Sequence, residues 1–110
     1  GKFVEILKTR ENGQFSYLTA PPGATRGCHY HHTKSEKFLV VSGRARIRFR
    51  NILTNDLHEI EVSDRVSEII DTIPGWVHDI SNIGDTTLVV LLWANEIFDK
   101  NNPDTIYSQI

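Results

Sequence analysis

One stretch of this chain, Gly23-Ala-Thr-Arg-Gly-Cys-His29-Tyr-His31-His-Thr-Lys-Ser-Glu36, combines two histidines with a carboxylate at short spacing. His29 and His31 are separated by one residue, so that in a β-strand their side chains point to the same face. His78 follows much later, after a Pro-Gly turn. Three imidazole nitrogens and one carboxylate oxygen form a mixed ligand set for a divalent transition metal. The sequence therefore predicts a metal site made of His29, His31, Glu36 and His78.

Length and charge restrict the classes of function that the chain can have. Its 110 residues correspond to one domain, and a formal net charge of −2 provides no basic field for nucleic acid or an anionic membrane. The longest apolar run, Leu88–Ala94, is far shorter than the roughly 18 residues that a membrane span requires. A single cysteine, Cys28, excludes an internal disulfide and is typical of a reducing compartment. We therefore expect a cytoplasmic, globular protein that binds neither nucleic acid nor membrane.

Short apolar alternations separated by turn signals run along the whole chain and predict an all-β fold. The predicted strands cover 3–8, 15–19, 26–33, 36–41, 44–50, 57–62, 66–70, 86–93 and 105–110, and a turn at 73–75 presents Trp76 and His78. Many short antiparallel strands in a chain of this length favour a sandwich or a small barrel. A barrel of the jelly-roll type brings the inward faces of the ligand-bearing strands together at one end. Cys28, beside His29, is expected to face away from the histidines.

The same residues match the signature of the cupin family. The first cupin motif is reproduced at every spacing by Gly23, His29, His31, Glu36 and Gly43. The second motif is matched in part, by Gly75, His78 and Asn82, whereas its proline directly precedes the glycine and its opening glycine is replaced by serine. The resemblance implies an all-β cupin barrel that holds one metal ion.

A narrower resemblance covers essentially the whole chain. The segments 25–38, 72–79, 93–99 and 103–105 are similar to the C-terminal cupin domain of the CapF-type enzymes of capsular polysaccharide synthesis. In that family a nucleotide-binding reductase domain precedes the cupin domain. The resemblance implies that residues 1–110 are a single cupin domain and the C-terminal part of a longer two-domain enzyme. The absence of methionine and of a dinucleotide-binding fingerprint agrees with this expectation.

The CapF-type resemblance also implies an activity. The two domains of that family make UDP-N-acetyl-L-fucosamine for capsule or O-antigen. The cupin half is an epimerase that acts at C3 of a UDP-linked 4-keto-6-deoxy-N-acetylhexosamine, and the reductase half then reduces the C4 ketone with NADPH. We therefore expect a UDP-sugar substrate and a covalently linked reductase domain, which alone uses NADPH.

The resemblance to cupins also gives expectations for the metal ion and the oligomeric state. Zinc is the expected ion, although manganese, iron, cobalt and nickel also suit a ligand set of imidazole and carboxylate. Cupins often dimerise through edge strands, and we expect a homodimer in which the strand 3–8 forms the paired edge.

A more distant similarity gives His29 a second possible role. The run Arg26-Gly-Cys-His29-Tyr30 is similar to the Arg-Gly-x-His-Tyr stretch of nucleotide-linked 4-keto-deoxysugar 3,5-epimerases, in which the histidine is the base and the arginine holds substrate. It implies that His29 and Arg26 are catalytic and that Arg26 binds substrate, as a diphosphate requires. Trp76 is the candidate to stack on a sugar or uracil ring. Further acid or base candidates near the ligands are Tyr30, His32, Lys37 and Asp79. The sequence leaves open whether His29 is ligand or base.

Three other classes of protein remain open at the level of sequence. The first is a related sugar-nucleotide 3,4-ketoisomerase, which differs from the epimerase in its product. The second is a cupin dioxygenase, which needs Fe(II) and O₂ and is disfavoured by the CapF-type resemblance. The third is a structural or dimerisation cupin module that pairs subunits of the parent enzyme without catalysing a step.

Overall fold

The computed structural model describes residues 1–96, 101 and 104–110, and in these ranges every regular element is a β-strand. The strands are β1 Lys2–Thr9, β2 Gly13–Ala20, β3 Thr25–Tyr30, β4 Glu36–Ser42, β5 Arg44–Asn51, β6 Leu57–Ser63, β7 Ile69–Thr72, β8 Trp76–Asn82, β9 Leu88–Ala94 and β10 Ile106–Tyr107. They form two antiparallel sheets with the orders β1-β2-β9-β4-β7 and β10-β3-β8-β5-β6. The predicted all-β cupin barrel is confirmed. A search of the described residues for a helix able to cross a membrane finds none.

The two sheets face each other across an apolar core. Strand β9 shows how alternation builds it, since Leu88, Val90 and Leu92 are buried while the residues between them are half-exposed. Burial of one such side chain contributes about 1.5–3 kcal/mol. The core cluster comprises Leu18, Ala20, Phe38, Val40, Ala45, Ile47, Val62, Ile70, Ile80, Leu88, Val90 and Leu92. This packing fixes the strands whose inward faces carry the polar cluster described below.

β8 was not predicted as a strand, and three predicted strands have the wrong bounds. The strand predicted over 26–33 ends at Tyr30, so His31 lies in the loop that leads to β4. The strand predicted over 66–70 spans Ile69–Thr72, where it pairs with β4. The strand predicted over 105–110 is reduced to Ile106–Tyr107, since only these two residues pair with β3. In each case the available pairing partner, rather than the local apolar pattern, determines where the strand ends.

A β-bulge interrupts β3 just before the first histidine. Gly27 pairs with Asp79 and His29 pairs with His78, so that Cys28 is an extra residue with no partner of its own in β8. Gly27 has φ of +107° and Cys28 has φ of +61°. A Cβ atom on Gly27 would lie 2.8 Å from the carbonyl oxygen of His78, so this position requires glycine. The bulge shifts the alternation by one residue and turns both Arg26 and His29 toward the interior.

Candidate metal centre

The four residues predicted as metal ligands meet inside the barrel. His29 comes from β3, His31 from the loop after it, Glu36 from the start of β4 and His78 from β8. One donor atom from each residue can be chosen so that all four atoms lie within 4.8 Å of one another. Although His31 is not part of a strand, it reaches the same cluster as His29, and the two ring centroids are 5.1 Å apart.

Glu36 is in contact with two of the histidines. Its Oε1 atom is 2.7 Å from Nε2 of His31 and 3.6 Å from Nε2 of His78. The His29 ring lies edge-on to His78, with centroids 4.6 Å apart. His31 and His78 are almost fully buried, at 4% and 3% exposure. Because water has little access, a charge in the cluster must be stabilised by neighbouring protein groups.

Burial sets the protonation states of the cluster. Burial, followed by repulsion from His78 and His31, lowers the pKa of His29 to about 4. Burial likewise lowers the pKa of His78. For Glu36, burial raises the pKa, but the hydrogen bond with His31 and the nearby rings outweigh it and keep the pKa below its usual value. At neutral pH the cluster thus offers His29 and His78 as neutral imidazoles and Glu36 as a carboxylate, which are the forms that bind metal ions.

The donor set fits a divalent transition metal. Bonds of about 2.0–2.2 Å allow two ligands of one ion to be up to about 4.4 Å apart, close to the spread of the four donor atoms here. A small inward movement of the side chains is sufficient to close the site. In addition, Nε2 of His78 faces Oε1 of Glu36 at 3.6 Å, a separation longer than a hydrogen bond. The residues therefore fit a metal ion of the class that imidazole and carboxylate select, without distinguishing zinc from its neighbours.

A cavity of about 410 Å³ includes all four cluster residues in its lining. Part of the lining is apolar and consists of core side chains, among them Leu18, Phe38 and Ile80. The lining also includes charged and aromatic groups, namely Glu5, Arg26, Lys34, Glu96 and Tyr107. A cavity of this size, with apolar side chains and a few polar groups around a potential metal centre, is typical of small-molecule sites.

Two predicted substrate residues have different positions relative to this cavity. Arg26 lines it, is half-buried and has no ion-pair partner among the described residues, so its guanidinium is available to a ligand. Trp76 does not contribute to the lining, and its ring instead contacts that of His58, with centroids 5.4 Å apart. The structure brings Arg26 to the cluster and does not bring Trp76 to it.

The other acid or base candidates from the sequence also lie outside the cavity lining. Tyr30 and His32 contact each other, with ring centroids 5.8 Å apart. Lys37 pairs at the surface with Asp71. The side chains of Tyr30, His32 and Lys37 thus make their contacts outside the cavity that holds the cluster.

Cys28 belongs to a separate polar contact on the other face of β3. Its Sγ atom lies 3.7 Å from Oδ2 of Asp79, which is fully buried and accepts two hydrogen bonds from Arg48. Burial, followed by the charge of Asp79 and the hydrogen bond to it, raises the pKa of the Cys28 thiol. The thiol is thus protonated and directed away from the histidines, as the sequence predicted.

Several cavity residues escaped the sequence reasoning. Glu5, Glu96 and Tyr107 come from distant parts of the chain, and no local motif marks them. Asp104 binds the loop after β3 from about seventy positions away. Lys34 differs from these residues, because its position between His31 and Glu36 in the ligand stretch marks it in the sequence. In the structure its side chain is 7% exposed.

Comparison with known proteins identifies relatives over the whole chain. Residues 1–106 match the family described as the polysaccharide biosynthesis C-terminal domain. A UDP-2-acetamido-2,6-beta-L-arabino-hexul-4-ose reductase of Pseudomonas aeruginosa is 60% identical over 105 residues, which are 96% of this chain and 28% of that protein. The capsular polysaccharide assembling protein CapF of Staphylococcus aureus is 46% identical, with a TM-score of 0.97 over 100% of this chain and 30% of that chain. The chain thus spans less than a third of these relatives.

More distant structures share the fold alone. A dTDP sugar isomerase from Desulfovibrio desulfuricans G20 superposes with a TM-score of 0.81 at 11% identity over 92% of this chain and 67% of that chain. A dTDP-4-dehydrorhamnose 3,5-epimerase from Elizabethkingia anophelis does so with a TM-score of 0.72 at 16% identity over 84% of this chain and 53% of that chain. With the fold, the polar cluster and these relatives taken together, the chain belongs to the polysaccharide biosynthesis C-terminal domain family and resembles the C-terminal cupin of CapF-type enzymes.

Proposed function

We propose that this chain is the epimerase part of a bifunctional nucleotide-sugar enzyme and acts at C3 of a UDP-linked 4-keto-6-deoxy-N-acetylhexosamine. The observation that carries the proposal is the cluster of three imidazoles and one carboxylate in the wall of a ligand-sized cavity. The name of the Pseudomonas aeruginosa relative, which specifies a UDP-linked 4-ketosugar, supports the substrate class.

The chemistry of such a substrate explains what the site must provide. The hydrogen at C3 is acidic because it is adjacent to the C4 ketone, and its removal gives an enolate whose reprotonation on the opposite face inverts the centre. A divalent metal bound by the cluster would polarise the ketone oxygen as a Lewis acid. The chain itself must supply a base of suitable pKa and bind the substrate so that C3 faces that base.

Arg26 and His29 are the catalytic residues of this proposal. Arg26 provides a cation in the cavity wall for the diphosphate or for the developing enolate oxygen. His29 belongs to the cluster and also lies on the same wall of β3 as Arg26, which supports both a ligand role and a base role. The roles of Glu36, His31 and His78 are to bind the metal.

The remaining parts of the proposal concern the parent enzyme. We propose zinc as the ion, a cytoplasmic location, and a reductase domain, covalently linked in the parent chain, that alone uses NADPH. A homodimer is proposed because β1 is an edge strand with exposed Phe3, Ile6 and Leu7. Trp76 as a stacking residue for the substrate stays a prediction.

Proton NMR of the UDP-4-keto-6-deoxy-N-acetylhexosamine in D₂O with this protein tests the activity. Loss of the H3 signal with incorporation of deuterium is the expected result, and the configuration of the product distinguishes C3 epimerisation from 3,4-ketoisomerisation. Retention of the H3 signal by folded, metal-loaded protein would contradict the proposal.

A His29→Gln variant separates the two roles of this residue. If His29 is a ligand, the variant loses metal in an elemental analysis. If His29 is the base, the variant keeps one metal ion per chain and loses deuterium incorporation at C3. Arg26→Met is the matched variant for substrate binding, and we expect it to keep its metal and to show weaker binding of the UDP-sugar.

A structural or dimerisation module is the second candidate function. It is favoured by the outer face of the β1-β2-β9-β4-β7 sheet, where half-exposed apolar side chains such as Tyr17, Leu39 and Leu91 form a continuous row. In that case the protein forms a dimer and binds metal but does not exchange H3.

A further inference from the structure

The last seven residues, 104–110, cross the segment that carries two of the four candidate ligands, and we call them the C-terminal strap. At one end, Asp104 contacts the loop that contains His31. At the other end, Ile106 and Tyr107 of β10 pair with Tyr30 and His29 of β3. The strap thus spans both histidines of the ligand stretch, whereas Glu36 and His78 are held by strands of the barrel.

The Asp104 carboxylate organises the ligand loop. Its Oδ1 accepts a hydrogen bond from the backbone N–H of His32 at 2.9 Å, and its Oδ2 accepts those of Thr33 and Lys34 at 2.8 and 3.0 Å. The Thr33 hydroxyl also donates to Oδ2. These backbone groups follow the end of β3 and have no strand to pair with, so the carboxylate provides the acceptors that a sheet would otherwise provide.

The backbone of the same residue orients His31. The Asp104 carbonyl oxygen is 2.5 Å from Nδ1 of His31. A carbonyl can only accept, so this contact keeps the proton on Nδ1 and leaves the Nε2 side of the ring for a metal ion. Nε2 is also the atom that faces Glu36.

The far end of the strap is anchored independently of the cluster. The N–H of Ser108 donates to the carbonyl oxygen of Cys28 at 2.9 Å. Arg50 of β5 donates to the carbonyl oxygen of Gln109 and to the Ser108 hydroxyl. Because Ser108 and Gln109 are anchored in this way, we expect a substitution of Asp104 to release the ligand loop. The barrel and the rest of the strap should then stay in place.

We propose that Asp104 is a positioning residue of the metal centre, which holds the ligand loop and the His31 ring in the geometry that the ion requires. The proposal rests on the metal binding that the proposed function includes. Partners that orient a ligating histidine through its second nitrogen typically change metal affinity by about 10–100-fold when they are removed. We expect a loss of this size for Asp104→Ala, because the loop and the carbonyl that contacts His31 are no longer held together.

Three variants of the complete chain test the proposal. Asp104→Ala removes all acceptor atoms of the side chain, Asp104→Asn keeps one acceptor oxygen, and Asp56→Ala removes an exposed carboxylate in the loop between β5 and β6. Zinc affinity is measured by competition with a chromophoric chelator. The visible spectrum of the cobalt-substituted protein reports the number and type of ligands.

We expect wild-type affinity and spectrum for Asp56→Ala, an intermediate loss for Asp104→Asn, and a loss of about 10–100-fold with a changed cobalt spectrum for Asp104→Ala. Circular dichroism of the metal-free proteins shows whether the barrel is intact, and if Asp104→Ala does not fold, Asp104→Asn decides the question. Unchanged affinity and an unchanged spectrum in a folded Asp104 variant overturn the positioning role. Absence of metal binding by the wild-type protein overturns the proposed metal centre instead, so the two failures are distinguishable.

Discussion

The low pKa of His29 makes the metal-free protein sensitive to acid. In the folded chain this pKa is about 4, whereas an unfolded histidine titrates near 6.5. Between these values the unfolded state binds more protons, so stability is present above pH 6.5 and is lost as the pH falls toward 4. We expect the free energy of unfolding of chelator-treated protein to fall by up to about 3 kcal/mol over this range, measured by urea titration at several pH values.

His29→Gln is the matched control for this pH effect. Since glutamine does not titrate, the variant should lose less stability between pH 6.5 and 4 than the wild type. Equal slopes for the two proteins would show that other groups, such as the buried His78, account for the acid sensitivity.

His78 links the proposed metal to the stability of the fold. Its side chain is almost fully buried between Glu36 and His29. Metal bound only by the folded state stabilises it, by about 2.7 kcal/mol at a free concentration of 100 times the dissociation constant. We therefore expect a chelator to lower the melting temperature of the wild type and to have little effect on His78→Ala, as measured by circular dichroism.

His58→Ala is the corresponding control, because His58 is an exposed histidine on β6 whose ring lies against that of Trp76 and which is not one of the four cluster residues. It should respond to the chelator as the wild type does. A wild-type melting curve that is identical with and without chelator would contradict a stabilising role for the ion.

At the residue scale, the sequence predicted which four side chains meet inside the barrel, but it did not predict the residues that support them. The spacing of His29, His31 and Glu36 predicts a shared position because strand alternation and a short loop are local properties. Asp104 acts on the same loop through tertiary contact, and its loop position in the sequence carries no mark of that role. Trp76 was predicted to bind substrate from its nearness to His78 in sequence, and its ring lies against that of His58, outside the cavity lining.

The conformation of β3 at its bulge requires glycine at position 27, and the Gly27→Ala variant tests this requirement. An alanine there would combine a positive φ with a Cβ atom 2.8 Å from the carbonyl oxygen of His78. We expect Gly27→Ala to destabilise the protein by about 1–3 kcal/mol in urea titrations and to weaken metal binding, because the displaced backbone carries a ligand.

Gly23→Ala is the matched control for this strain. Gly23 also has a positive φ, of +82°, but a Cβ atom there would have no neighbour within 4 Å. The Gly23→Ala variant should show the loss of stability that the backbone conformation alone causes, and it should keep wild-type metal affinity. If Gly27→Ala is no worse than Gly23→Ala, the close approach to His78 is not important.

At the element scale, the existence and type of most strands were predictable, but β8, which carries His78, was not predicted as a strand. The register of the strands was not predictable. Alternation identified β5, in which Ala45, Ile47 and Phe49 recur at every second position, and short apolar runs identified β4 and β9. Alternation could not identify the extra residue Cys28, because a bulge leaves the local pattern of residue types unchanged. The position of Cys28 as the extra residue is determined by the pairing of β3 with β8, which is a non-local interaction.

At the scale of the whole molecule, the described residues leave an apolar surface uncovered. Across the β1-β2-β9-β4-β7 sheet, a register row of outward side chains is apolar throughout, and it consists of Val4, Tyr17, Leu91, Leu39 and Ile69. A nearly continuous apolar run such as that of β9 is typical of a strand with both faces covered, whereas the described residues cover only its inner face. Large exposed apolar faces of this kind are typical of interaction surfaces.

We expect the protein to be a dimer that a charge on this face disrupts. Leu7 lies on β1, is 58% exposed and pairs with Phe15 on the same sheet. Leu7→Glu should give a monomer in sedimentation equilibrium at micromolar concentration, because dimerisation would bury an unpaired carboxylate. Leu53→Glu, in the loop between β5 and β6 and 87% exposed, should remain a dimer. A monomeric wild type at high micromolar concentration would contradict the expectation.

The single extra residue in β3 also affects how this chain should be aligned with remote cupins. Arg26 and His29 share a wall although their positions differ by an odd number, which a regular strand does not allow. A relative without the bulge would carry the equivalent pair at an even separation. An alignment of such a protein therefore needs a one-position gap opposite Cys28, and without it every residue on one side of the gap is assigned to the wrong face of the barrel.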